Sequence, residues 1–444
     1  MVKLKTVSQL EVFKNRKSIL ANPLPFHSEN FKKYGDTFRV KVGPWQNIVF
    51  TKNPEIVLQV LQKQHKKFRK SPLQTKDLAK YIGHGLLTAE GDHWRAQRRM
   101  IQPAFHRKKL AGLLSTMQVA IKEELGQIKA NETIDVFPLM GDLAFQVVAR
   151  SLFSHSDIRD KMRKLQYITE TNQKMLIREM RQPYLKWWFQ LSGQISKHLQ
   201  YSEDSRLLLN GLIEERIGLE RERDDLLDML LKATYEDGTH MSRQQLIDEV
   251  LILFTAGHET TANALSFTLY LLARHSEIQE KVFKEIQCNV SPEKDLMEWI
   301  SALPFTQQCI EEAMRLYPPV YVIDRMAKED IIIADINFSE GSLILMSVYE
   351  LHRHPDFWQD PESFKPERFD KSGKKEMGSY YYPFGAGPRM CIGNSFALYE
   401  MILTLVEIIS KYKVHSVTEK VELIPLISLK PKEIKLNFVK RNNS

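Results

Sequence analysis

The chain has 444 residues, 43% hydrophobic and 27% charged, the balance of an ordinary soluble globular protein with room for a large core. Its three cysteines, Cys288, Cys309 and Cys391, exclude a disulfide-stapled secreted scaffold and fit a reducing compartment. The net charge of +8 comes with no basic tail and no recognisable binding motif, which argues against a nucleic-acid partner.

The first twenty residues, MVKLKTVSQLEVFKNRKSIL, are charged throughout. They offer neither the apolar core of a signal peptide nor the roughly 18 apolar residues of a membrane anchor, so the expectation is a cytoplasmic protein without a membrane partner. Residues 37–51, TFRVKVGPWQNIVFT, alternate around Gly43-Pro44 and predict a hairpin. Asn53 caps the next helix, with Pro54 at its first position. Basic residues then cluster at Lys66, Lys67, Arg69 and Lys70, and again at Arg95, Arg98, Arg99, Arg107, Lys108 and Lys109. They read as a solvated face or as a dock for an acidic partner.

From about residue 90 to 315 the pattern is mostly helical. Ser242 and Gln245 form a capping box for the longest helix, which runs from Leu246 to about Ala273 and ends on Arg274 and His275. At about 1.5 Å per residue it crosses about 45 Å. Asp248, Glu249, His258, Glu259 and Asn263 interrupt its apolar run, so it is a core helix rather than a membrane span. Near the end, IPLISLKPKEIKLNFV returns to short strands. No repeat or linker divides the chain. The expectation is one domain over 1–444, mainly α with small β-sheets (α+β).

The stretch PFGAGPRMCIG, residues 383–393, holds a lone cysteine among three glycines. Gly385, Gly387 and Gly393 permit tight turns and close approach to something flat. NSFALYEMILTLVEIIS follows as a helix, so Cys391 sits near a helix N-terminus, where free N–H groups favour a thiolate. Arg389 adds positive charge. Zinc requires further ligands at short spacing, and none is near. A redox CxxC is absent. A dinucleotide GxGxxG fails at Met390. A single thiolate serving as the axial ligand of a haem iron remains.

At this point the chain resembles a known family. FGAGPRMCIG matches FxxGxRxCxG, the haem-binding signature of the cytochrome P450 family, at Phe384, Gly387, Arg389, Cys391 and Gly393. Three further motifs follow the family's order. EEAMRLYPP supplies Glu312 and Arg315, which the resemblance joins to Arg368 of PERF in a buried structural triad. AGHETT, residues 256–261, lies in the long helix. Without the cysteine loop it would read as a small-residue packing site. The resemblance implies that Ala256 and Gly257 leave room for dioxygen, while Thr260 and Glu259 relay protons to it. GDHWRAQRRM supplies Trp94 and Arg98. With Arg389 they are implied to bind haem propionates, and their four-residue spacing puts both on one helix face. Arg325 is a further propionate candidate, with an ion pair to Asp324 as the equal alternative.

The resemblance therefore implies the cytochrome P450 fold, with the long helix over haem b (iron protoporphyrin IX). The implied activity is that of a monooxygenase that uses O2 and electrons from a separate ferredoxin, or flavodoxin, and its NAD(P)H-dependent reductase. The dock for that carrier is the basic surface around the Trp94 helix and its extension, without Arg98. A peroxygenase would replace the acid–threonine pair, a hydroperoxide isomerase would usually lose the threonine, and a haem sensor would need no proton relay. Family analogy lines the pocket with the 70–90 loop, the 165–195 segment, the middle of the long helix and residues 320–324. Phe254, Val320, Val322 and Ile323 are apolar there. Gln74, Lys76, His84, Tyr321 and Asp324 keep a methyl-ether substrate open, such as a methylated sugar that hydroxylation would O-demethylate. A fatty-acid or terpenoid hydroxylase is the alternative. Trp187 and Trp188 are expected to pack between helices.

Overall fold

The computed structural model describes residues 3–42, 46–154, 159–218 and 223–441. Short β-branched and aromatic runs form a six-stranded sheet. Its strands are β1 (Thr6–Val7), β2 (Thr37–Val42), β3 (Gln46–Thr51), β4 (Phe68–Arg69), β5 (Val322–Ala327) and β6 (Leu343–Ser347), in the order β1-β2-β3-β6-β5-β4. β2 and β3 pair antiparallel from Thr37↔Thr51 to Val42↔Gln46, as the alternation predicts; the Gly43-Pro44 turn lies outside the described residues. Directly opposed Phe38 and Phe50 stack at 5.4 Å, a cross-strand pair that fixes the register. β5 and β6, joined to β3 through β6, carry Asp324 and Arg325 inward from the far half of the sequence.

Helices form the bulk of the molecule: α1 (Gly91–Ile101), α2 (Arg107–Leu125), α3 (Val136–Phe153), α4 (Arg159–Arg181), α5 (Arg243–Arg274), α6 (Pro304–Leu316) and α7 (Asn394–Lys411) are the ones that build the site. α5 has 32 residues and spans about 48 Å. Ser242 accepts from the Gln245 N–H at 3.2 Å, so the predicted cap forms. The reciprocal half does not: the Gln245 amide turns away to Glu249 at 2.9 Å and the His84 carbonyl at 3.3 Å.

α3 packs along α5, with α2 also against it. A Cβ at Gly257 would stand 3.1 Å from Val148 on α3, so Gly257 permits this close helix contact. α3 is the one helix among the described residues long and apolar enough to cross a membrane, and 67% of that window is buried inside the protein. Its seclusion between two helices accounts for an apolar run that composition alone cannot assign.

Two devices hold the cysteine loop. Arg315 pairs with Glu312 through Nε at 2.6 Å and Nη2 at 2.9 Å, both side chains fully buried. Arg368 joins at 3.4 Å, which completes the expected triad. The remaining Arg315 protons go to the carbonyls of His352, Pro361 and Ser363. His352, held neutral near a pKa of about 3 by burial and then by Arg315, accepts from the Tyr382 N–H at 2.8 Å, just ahead of the loop. A small hairpin, β7 (Leu423–Pro425) and β8 (Leu429–Pro431), pairs Ile424 with Lys430 and packs its second strand against α5.

Candidate active site

The cysteine loop is shaped by two left-handed glycines, Gly385 at φ 69° and Gly387 at φ 68°. A Cβ at Gly387 would lie 2.1 Å from the Leu61 carbonyl oxygen, so only glycine lets the loop dock there. Gly393 has an ordinary φ of −90°, and its N–H hydrogen-bonds the Cys391 thiol. The Cys391 N–H donates to the Phe384 carbonyl at 2.9 Å, closing the loop. α7 begins three residues after Cys391, at Asn394.

Cys391 lies deep between packed segments, yet its side chain is accessible. Burial pushes the thiol up, more than the Gly393 N–H and Arg98 pull it down. The Gly393 N–H and Arg98 pull toward the thiolate and burial opposes them; a metal cation at the sulfur would add to that pull.

A cationic wall stands beside the loop. Arg389 lies over the Trp94 ring at 4.2 Å. Arg98 donates to the Met390 carbonyl at 2.7 Å, and Arg325 to the Asp324 carbonyl at 2.7 Å. The alternative for Arg325 is thus not met as drawn: it bonds the Asp324 backbone, while the Asp324 carboxylate accepts from Gln74. Burial, eased by Asp324 and reinforced by Arg389, lowers Arg325 to about 10.

Two members of this wall escape a motif search. Glu90 is the N-cap of α1 but does not cap it; its carboxylate accepts from Arg389 and from the Lys70 N–H at 2.9 Å. Lys70, read from sequence as part of a surface cluster, is buried. Its ammonium caps the carbonyls of Leu86, Leu87 and Ala89 at 2.6–3.1 Å, and burial with Arg389 and Arg325 nearby brings it down to about 7. Glu90 immediately precedes the recognised tryptophan motif, the one signal that could have found it.

The middle of α5 shows a second face. Leu253, Ala256, Gly257 and Thr260 are partly accessible, although most of their helical neighbours are buried. Their spacing puts them on one side of the helix, so α5 presents a narrow open stripe inside the protein. Thr260 Oγ1 donates to the Ala256 carbonyl at 2.8 Å. Glu259 points elsewhere, to Lys430 at 3.1 Å and Ser428 on the β7–β8 hairpin. Burial would raise its carboxyl, but Lys430 and Ser428 outweigh that and hold it below the usual range.

Several expected lining residues belong to other places. Phe254 is buried against Phe145 and His258 in the α3–α5 interface. Trp187 and Trp188 are 59% and 50% exposed and do not pack between helices. Lys76 and His84 face solvent, and Tyr321 donates to the Leu426 carbonyl at 2.8 Å.

These features fit a bound haem. An accessible thiol sits at the end of a rigid loop. Lys70, Arg325 and Arg389 converge beside it, and Arg389 Nη1 is buried without a hydrogen-bond partner, as a site awaiting an anionic propionate requires. The family model described as Cytochrome P450 matches residues 9–438. The chain is a cytochrome P450. It is an oxidoreductase of the P450 monooxygenase family, and its cofactor is haem.

This P450 is 29% identical to pentalenene oxygenase of Streptomyces avermitilis, over 89% of this chain and 88% of that one. It is likewise 29% identical to cyclooctat-9-en-7-ol 5-monooxygenase of Streptomyces melanosporofaciens, over 89% and 86%. Among solved structures, the retinoic acid bound cyanobacterial CYP120A1 superposes with a TM-score of 0.83 at 26% identity, over 95% of each chain. The cytochrome P450DA heme domain shares the fold at a TM-score of 0.85 and 21% identity.

Proposed function

We propose that this P450 hydroxylates a lipophilic, terpenoid-class substrate. The open stripe of Leu253, Ala256 and Thr260 carries the reading: the only stretch of α5 left accessible near its middle is apolar and small, with one hydroxyl. The polar residues that kept a sugar ether open are engaged with each other or with backbone, or lie at the surface. The names of the terpenoid relatives and of the retinoic-acid complex point the same way. One observation favours a methyl-ether substrate as second reading: Asp324 Oδ2 is buried with no hydrogen-bond partner.

In this reading Cys391 ligates the iron, and Arg389, Arg325, Arg98 and Trp94 hold the propionates. Phe384, Gly387 and Gly393 shape the loop beneath. The haem, once bound, supplies reductive activation of dioxygen and insertion of one oxygen atom into a C–H bond. Thr260 and Glu259 deliver protons on the α5 side. Electrons come from an acidic ferredoxin or flavodoxin with its reductase. The exposed Arg95, Arg99, Arg107, Lys108 and Lys109 form its dock on α1 and α2, in a cytoplasmic setting.

The test is a spin-state titration of the haem-loaded protein with a sesquiterpene, a diterpene alcohol and a 6-O-methyl hexose. A shift to high spin with either terpenoid, followed by a hydroxylated product, is the expected result. A shift with the hexose alone, followed by formaldehyde release, overturns the lipophilic reading.

A further inference from the structure

The β4–β5 end of the six-stranded sheet holds two buried polar atoms that no neighbouring group satisfies. Asp324 on β5 is 9% exposed; its Oδ1 accepts from the Gln74 amide, and its Oδ2 is buried with no hydrogen-bond partner. Ser71 is 1% exposed, and its Oγ is likewise buried without a partner. β4 and β5 pair antiparallel at Phe68↔Ala327 and Arg69↔Met326, and two further steps of that register set Ser71 at the level of Asp324. Side chains alternate along a strand, so Asp324 shares a face with Val322, while Ile323 and Arg325 take the other. Val322 is partly accessible. That face thus offers an apolar surface beside one unmet acceptor and one unmet hydroxyl.

Gln74 belongs to segment 70–90, which is bound to α5 further on: the His84 N–H donates to Asp248 at 2.8 Å and the Leu86 N–H to Glu249 at 2.9 Å. One stretch of chain therefore joins the unmet carboxylate oxygen to the helix that carries the open stripe. A buried acceptor left without a donor costs free energy, so this oxygen calls for a donor brought from outside the chain. An ammonium would meet Arg325, Arg389 and Lys70 as well as Asp324, and burial with those two arginines already brings Lys70 down to about 7. A ligand carboxylate would face Asp324 as a like charge. A neutral O–H remains. One carboxylate oxygen and one hydroxyl suit a single polar group on an apolar body, not the many hydroxyls of a sugar.

We propose that Asp324 determines specificity: its Oδ2 accepts the O–H of a hydroxyl that the terpenoid already carries, Ser71 Oγ donates to the same hydroxyl oxygen, and Gln74 holds the carboxylate in place. This rests on the lipophilic reading of the site. It also sets the enzyme's place in a reaction sequence. A reaction that installs a hydroxyl on the skeleton, by capture of water at a carbocation with loss of a proton or by an earlier oxygenation, supplies the substrate. The oxygen inserted by this P450 is then at least the second on that skeleton.

The test is a set of spin-state titrations of the haem-loaded parent, Asp324→Asn, Asp324→Leu and Ser71→Ala. The probes are two matched series, farnesene with farnesol and farnesoic acid, and abietadiene with abietadienol and abietic acid, beside a 6-O-methyl hexose. In the series that shifts the spin state, the parent is expected to bind the alcohol about 10-fold or more tighter than the hydrocarbon, and the acid most weakly. Asp324→Asn keeps the Gln74 bond through its amide oxygen and turns an N–H2 to the Oδ2 position. It should bring alcohol and hydrocarbon within about three-fold of each other and admit the acid. Asp324→Leu should favour the hydrocarbon, and Ser71→Ala should weaken the alcohol alone. Asp324→Asn is isosteric and carries the test should Asp324→Leu fail to retain haem. Equal affinities for alcohol and hydrocarbon in the parent, or an Asp324→Asn protein that keeps the parent's ratio, overturn the Asp324 assignment and leave the lipophilic reading standing; water alone then meets Oδ2. No shift with either terpenoid series, whether or not the hexose gives one, overturns the lipophilic reading, and this proposal with it.

Discussion

Arg389 shows how one side chain can serve two partners. It stacks on Trp94, gives one amino group to Glu90, and keeps Nη1 buried and unpaired. A guanidinium so placed is stable only if something anionic meets that orphan, because a buried donor without a partner costs about 1–3 kcal/mol. Arg389→Ala should therefore weaken haem retention by about 10- to 100-fold, the loss of one charge-assisted bond. Transfer of haem to a scavenging apoprotein measures this, and an unchanged transfer rate would remove Arg389 from the propionate site. Cys391 is the opposite case, a group held in its less useful form. Burial favours the thiol, and only the Gly393 N–H and Arg98 oppose it. A cation at the sulfur is what converts it to thiolate. Cys391→Ser should then keep the fold but lose the thiolate-type spectrum of the reduced CO complex. A spectrum unchanged from the parent would sink the ligand assignment.

At the scale of elements, the loop that presents Cys391 is held from α6 as well as by its own contacts. The chain of bonds runs from Glu312 through Arg315 to the His352 carbonyl, and from the His352 ring to the Tyr382 N–H. Breaking a buried pair while leaving its partner charged costs about 3–5 kcal/mol. Glu312→Gln should lower the unfolding free energy by that amount, seen as a lower urea midpoint, and release haem; a midpoint within error of the parent would mean that the triad does not stabilise the loop. These parts were legible in the sequence because their signals are local. The cysteine motif, the Ser242 cap and the α5 periodicity each lie within a few turns of chain. α3 was not legible, since a buried helix and a membrane helix share one composition. Nor were Lys70, Lys430 and Ser428. Ser428 meets Glu259 across 169 positions, and no periodicity encodes that encounter. Phe254 was misplaced for a related reason. It is on α5 among the site residues, but the helix turns it toward Phe145, and only the packing of α3 shows which face is which.

Across the whole molecule, segment 70–90 borders the cysteine-loop site and is latched on several sides. Gln74 bonds Asp324 of β5, and Glu90 bonds Arg389. Two acids of α5 take its backbone: Asp248 accepts from the His84 N–H at 2.8 Å and Glu249 from the Leu86 N–H at 2.9 Å. Gly83 and Gly85 allow this approach, since a Cβ on either would collide with those carboxylates. Burial lifts Glu249 from 4.5 to about 7, against the downward pull of the Leu86 N–H, the Gln245 amide and Lys70. The folded chain thus keeps a proton on Glu249 over a range where the unfolded chain has lost it. Its contribution to stability is full below 4.5 and is lost as pH rises through about 7. Lys70 has the opposite sign. It is depressed from 10.5 to about 7, so its charged form disfavours folding at low pH, and stability recovers only as pH rises above about 7. Between pH 5 and 7 the Glu249 slope is opposed by His27 and His352, which burial lowers from 6.5 to about 4 and about 3, so that the unfolded chain binds protons there that the folded chain does not. The full Glu249 shift corresponds to about 3 kcal/mol. Urea unfolding of the haem-loaded protein at pH 5, 6 and 7 should show stability rising more steeply with pH in Glu249→Gln, whose amide keeps the Leu86 bond without titrating, than in the parent. Parallel slopes in the two proteins would mean that Glu249 ionises alike in the folded and unfolded chain, and the latch on segment 70–90 would then be independent of pH.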